Sequence, residues 1–122
     1  MKENNQIALE SRSFAIRIVN LYKFLIDVKK KFVMSKQILR CGTSVGANIS
    51  ESVFAQSRQD FISKLSISLK EASETKFWLD ILHETDFITD SQFESLNEDN
   101  SKLIGTLVNI INSTKKKIMF NV

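Results

Sequence analysis

The sequence predicts an all-α protein, an antiparallel up-down four-helix bundle formed by residues 1–122 as a single domain. Three observations lead there. Proline is absent and glycine occurs only at Gly42, Gly46 and Gly105, too few chain breakers for the turns of a sheet protein. Apolar residues recur at alternating steps of three and four through long segments. The connections between segments are short, which sets successive helices antiparallel.

The spacing predicts helices over about residues 7–31, 36–56, 58–84 and 90–117. In the first, Phe14, Ile18, Leu21, Leu25, Val28 and Phe32 form the bundle seam, widened by Ala15, Tyr22 and Ile26. Lys29-Lys30-Lys31 is expected in its last turn, where positive charge suits the helix dipole. The second helix is expected to start at an N-cap, Ser35, with Ile38, Gly42, Val45, Ile49 and Val53 on its main face. Gly42 and Gly46 stack on adjoining turns and permit close backbone approach.

Ser57 and Asp60 are spaced as in a capping box at the start of the third helix. Its stripe is Phe61, Ile62, Leu65, Leu69, Ala72 and Leu79. Ile67, Trp78 and Ile81 lie almost opposite, so this helix is expected to be covered from outside as well, by self-association into a dimer or a ring. Thr89 and Gln92 form the capping box of the fourth helix. Its stripe is Phe93, Leu96, Leu103, Leu107, Ile110, Ile111 and Ile118, with Asn100 and Thr114 as polar members and Gly105 as a weak point. The tail from Lys115 to Val122 is expected to fray.

Composition bounds function less tightly. The chain is 43% apolar and 25% charged, ordinary for a globular protein. No apolar run reaches eighteen residues and the N-terminus shows no signal-peptide pattern, so a cytoplasmic protein with no membrane partner is expected. Cys41 is alone, which excludes an intrachain disulfide and fits a core position. Charge is unevenly spread. Residues 1–58 hold ten Lys/Arg against four Asp/Glu, residues 59–114 hold four against ten, and Lys115-Lys116-Lys117 follows. Such asymmetry marks an anionic partner, or basic and acidic surfaces that meet each other.

The chemistry of catalysis is missing. His83 is the single histidine, read as a helix-end residue near Glu84 and Asp86. No Glu-x-x-His pair, phosphate-binding glycine loop, or nuclease-like Arg-then-His arrangement occurs. No enzyme, cofactor or metal site is expected. Candidate nucleic-acid contacts are Arg12, Arg17, Lys23, Lys29, Lys30, Lys31, Lys36 and Arg40, which concentrate on the first two helices. Candidate polar packing or subunit contacts are Ser44, Asn48, Glu51, Lys70, Glu71, Glu74 and Trp78.

Leu39-Arg40, Ser44-Val45-Gly46-Ala47-Asn48-Ile49-Ser50-Glu51, Arg58, Asp60-Phe61, Lys64, Lys70-Glu71-Ala72-Ser73-Glu74-Thr75 and Trp78-Leu79 together resemble the four-helix-bundle proteins of the 23S rRNA-intervening sequence family. Ser52 stands where many members have Gly or Ala. The resemblance implies a bacterial bundle that assembles as a ring, commonly a homopentamer. It also implies relation to the accessory proteins of diversity-generating retroelements, which contact RNA and assist reverse transcriptases. No enzymatic activity is implied. On this reading Asn48, Glu51, Lys70, Glu71 and Glu74 form a hydrogen-bonded layer within or between subunits. Function is then expected as RNA binding, or docking to a nucleic-acid enzyme, by an oligomeric bundle. A protein-interaction scaffold is the alternative, with an enzyme or metal bundle using Glu51, Glu71 and Glu74 a distant third.

Overall fold

Long stripes without proline produce four long helices: α1 (Lys2–Asp27), α2 (Phe32–Ser52), α3 (Arg58–Glu84) and α4 (Asp90–Phe120). The structure, a computed structural model, describes residues 2–30 and 32–120. Each helix packs on its two neighbours in the order α1–α2–α3–α4, with α4 closing back on α1. Phe14, Ile18, Leu25, Ile38, Val45, Leu65, Leu79, Leu103 and Leu107 are among the buried side chains of one shared core. The α1–α2 and α3–α4 connections lie at one end of the bundle. The α2–α3 connection and the α4 C-terminus lie at the other.

The caps behave as their side-chain chemistry requires. Ser57 is extended (φ −159°, ψ 169°) and its Oγ accepts the Asp60 N–H at 3.0 Å. The Asp60 carboxylate reaches past Ser57 to accept the Gln56 N–H. Thr89 and Gln92 form the reciprocal box expected of them, at 2.8 and 3.1 Å. At the end of α3, Asp86 takes the left-handed conformation (φ 65°), with Asp86 N–H donated to the His83 carbonyl and Phe87 N–H to that of Leu82. This is the Schellman arrangement with Asp in the place usually held by Gly.

Several boundaries differ from expectation. α1 ends at Asp27, and Lys30 turns the chain through a left-handed φ of 57°. Lys29 and Lys30 therefore follow the helix, while Lys31 lies outside the described residues. Val28, expected in the seam, is exposed beyond the helix end. Phe32 opens α2, so Ser35 sits inside its first turns, buried, and is no cap. α2 closes at Ser52, where the Phe54 and Ala55 N–H groups bond back three residues, and Val53 is exposed. α4 runs on past Lys115, the expected start of a frayed tail, through Phe120, and Asn121 and Val122 lie outside the described residues. On α3, Trp78 and Ile81 are half-buried, Trp78 packing against the core, and Ile67 is exposed.

Gly42 and Gly46 act at one seam, that of α1 and α2. A Cβ on Gly42 would stand 2.8 Å from Ile18 Cγ1, and one on Gly46 would stand 3.2 Å from the Ser11 carbonyl oxygen. Side chains of ordinary size would push α1 and α2 apart. Gly105 meets nothing within 4 Å and has no such role.

Candidate functional site

Seven of the eight candidate cations divide into two groups, and the eighth, Lys31, lies outside the described residues. Arg17, on α1, faces α4: its guanidinium meets the Asp99 carboxylate at 2.6 Å and donates to Ser95 Oγ at 3.0 Å. Arg40, on α2, faces α3 and forks between Glu71, at 3.1 Å, and Glu74. Both are committed to carboxylates of the acidic half of the chain. Arg12, Lys23, Lys29, Lys30 and Lys36 are exposed, and none forms an ion pair with another described residue. Lys29 lies 5.8 Å above the Phe24 ring. Lys23, Lys29, Lys30 and Lys36 gather near the α1–α2 connection, and Arg12 lies toward the opposite end of α1.

Within one chain the polar candidates on α2 and α3 do not form one layer. Glu71 and Glu74 converge on Arg40, while Glu51 pairs with Lys64 at 3.2 Å, farther along the α2–α3 seam. Asn48 donates to the Ser44 carbonyl, and Ser44 Oγ to that of Arg40, both within α2. Lys70 is exposed and joins neither ion pair. The reason lies in helix geometry: Glu71 and Glu74 are one turn apart and face the same Arg40, whereas Glu51 lies three turns beyond Arg40 on α2. Trp78 meets Phe77 edge-on, ring centroids 5.2 Å apart. Phe77 itself is exposed, an apolar residue that the stripe pattern passes over.

Deeper polar contacts fix the helices more firmly. Ser68 Oγ, buried on α3, donates to the Val45 carbonyl of α2 at 2.8 Å. Asn100 Nδ2, on α4, donates to the Ala72 carbonyl of α3 at 2.9 Å, and its Oδ1 is buried without a protein partner. His83 places Nε2 2.6 Å from Asp90 Oδ1 and stacks on Phe93 with centroids 4.3 Å apart, so its partner is Asp90 and neither Glu84 nor Asp86. The Cys41 thiol is buried, and burial pushes it up to about 11. A thiol so disposed holds little thiolate near neutrality and serves as a small core residue.

Two concavities flank α1 and α2. One, of about 400 Å3, lies at the end carrying the α2–α3 connection, with Ile7, Ile49, Phe61, Leu65 and Ile110 among its lining and Arg58 at its edge. The other follows the outer α1–α2 groove, between Ala8, Ala15, Gly46, Ala47 and Ser50. Leu9, which also lines this groove, and Ile16, seven residues farther along α1, are exposed. The two escaped the sequence reading because they lie off the seam, yet their heptad spacing was a readable sign of a second face. Among the described residues, no group of three or more His, Cys, Asp or Glu side chains is placed to hold a metal ion.

Comparison with known proteins agrees with this architecture. A crystal structure of a protein of unknown function from the S23 ribosomal protein family of Bacteroides thetaiotaomicron VPI-5482 superposes with a TM-score of 0.89 at 55% identity. The match covers 90% of this chain and 98% of that one. No curated protein matches significantly. The profile of the 23S rRNA-intervening sequence protein matches residues 3–109, a span that takes in α2 and α3 whole and most of α1 and α4. The chain therefore belongs to the 23S rRNA-intervening sequence protein family.

Proposed function

We propose that the protein is a non-enzymatic, cytoplasmic homo-oligomer that binds RNA, or a nucleic-acid enzyme such as a reverse transcriptase, through the basic surface of α1, α2 and their connection. One observation carries this reading. The cations of the α1–α2 half that face α3 and α4 are paired with carboxylates, while Arg12, Lys23, Lys29, Lys30 and Lys36 point to solvent without acidic partners. Unpaired cations at this density attract phosphate backbones, with strong salt dependence and little sequence choice. Kinship with the retroelement accessory proteins belongs to the same proposal.

A ring suits the charge pattern, and the family resemblance favours five subunits. A basic half and an acidic half on one molecule complement each other head to tail, and heterologous contacts of that kind form a ring where the rotation between subunits closes. The alternative, a protein scaffold with no nucleic-acid contact, is favoured by exposed Leu9 and Ile16 beside the small-residue α1–α2 groove.

The deciding experiment is fluorescence anisotropy of a labelled structured ribosomal RNA fragment across a salt series, with light scattering for subunit number. Replacing Lys29, Lys30 and Lys31 together by Gln is expected to weaken RNA binding and flatten its salt slope while the oligomer survives. An oligomer that dissociates instead assigns those lysines to a subunit interface. Absence of binding even at low salt leaves the scaffold.

A further inference from the structure

We propose that the end of the bundle formed by the α2–α3 connection and the α4 C-terminus docks on an anionic phospholipid surface. Antiparallel packing brings two distant stretches to this end. Val53 and Phe54 leave α2 here with 72% and 84% of their surface exposed, and Met119 and Phe120 finish α4 at 72% and 78%. Large apolar side chains this exposed, gathered at one end, lose a favourable burial unless something covers them.

The surrounding charge selects the cover. Arg58, Lys115 and Lys116 are exposed and form no ion pair with a described residue. The described acids nearby do not cancel this charge: Glu51 is paired with Lys64 at 3.2 Å, and Asp60, which accepts the Gln56 N–H at 3.1 Å, sets one negative charge against the three cations. A basic rim around apolar tips fits a surface that is anionic outside and apolar within. The apolar residues stand on two separate protrusions, a loop and the tip of a helix, which a deformable apolar phase covers more readily than a shaped peptide does. Nucleic acid could stack on Phe54 and Phe120 but offers no apolar phase to Val53 and Met119. No described helix is long and apolar enough to cross a membrane, so the contact is interfacial, with lysines at headgroup level and the apolar tips just below.

The test is co-sedimentation of the full chain with vesicles of phosphatidylcholine alone and of phosphatidylcholine mixed with phosphatidylglycerol, at low and physiological salt. Binding to the anionic vesicles only is expected. The K115Q/K116Q variant should weaken it by roughly tenfold or more, since each lysine near an anionic surface contributes about fivefold. F54S/F120S should weaken it comparably, with helix content unchanged because both side chains are exposed on the bundle; a changed oligomer size in light scattering overturns the proposal by assigning these residues to a subunit contact. Failure to bind anionic vesicles overturns the proposal. Binding lost in K115Q/K116Q but intact in F54S/F120S also overturns it, since that is charge attraction without insertion. Single-stranded RNA bound by the wild type and lost in both variants, with no vesicle binding, reassigns this end to nucleic acid.

Discussion

The α1–α2 and α3–α4 seams hold their helices together by opposite means. At α1–α2 the determining feature is missing side-chain volume: Gly42 admits Ile18, and Gly46 admits the Ser11 backbone. At α3–α4 it is an added polar group, Asn100, whose amide reaches the Ala72 carbonyl across the core. A glycine seam fixes distance by sterics and tolerates almost no enlargement. An asparagine seam fixes register through one hydrogen bond, and leaves an acceptor, Asn100 Oδ1, without a protein partner. Surface ion pairs such as Arg40 with Glu71 and Glu74 decorate the bundle more than they hold it.

Substitution at Gly42 probes the steric seam most severely. Gly42→Leu is expected to destabilise the fold by about 3 kcal/mol, read as a fall of roughly 10 °C in Tm. An unchanged Tm would show that Ile18 has room to yield and that the seam is looser than it looks. Asn100 comes next. Asn100→Ala removes the hydrogen bond and leaves a cavity, for a loss of about 2 kcal/mol. Asn100→Leu fills the space and removes the unpartnered oxygen, so it should stay within about 1 kcal/mol of the wild type. Equal losses for the two variants in chemical denaturation would mean that the bond to Ala72, and not packing, sets the α3–α4 register.

Gly105 supplies the control for the glycine argument. With nothing near its missing side chain, Gly105→Ala should stabilise the protein by about 0.5–1 kcal/mol, the opposite sign to Gly42. A loss of stability there would reveal a partner surface covering α4. Smallest of all, Glu74→Ala should cost about 0.5 kcal/mol, because the pair is partly exposed and Arg40 keeps Glu71. Light scattering on the same variant is more telling than its Tm. A change of subunit number would move this ion pair from the surface of one bundle to the contact between two.

The helices were legible because burying a stripe requires a period, and the period is written in the residues. Phe14, Ile18, Leu21 and Leu25 on α1, and Leu103, Leu107, Ile110 and Ile111 on α4, fall buried as their spacing requires. The Ser57 and Thr89 caps were legible for a similar reason, since each satisfies N–H groups within three residues of itself. The end of α1 was not. Chain reversal there uses Lys30 in a left-handed conformation, and lysine gives no local sign of it. Asp86 hides the same geometry after α3.

By itself, then, the sequence determined the number of helices, most of their buried faces, two of their caps and the close approach at its paired glycines, because these depend on neighbours within a turn or two. Tertiary structure decided which charges remain available. Arg17 and Arg40 look no different from Arg12 along the chain, yet packing sets Asp99 before one and Glu71 with Glu74 before the other. It likewise gathered Phe54 and Phe120 at one end of the molecule from positions far apart in the chain. Pairings across helices depend on which faces meet, and that is settled only when the whole core closes.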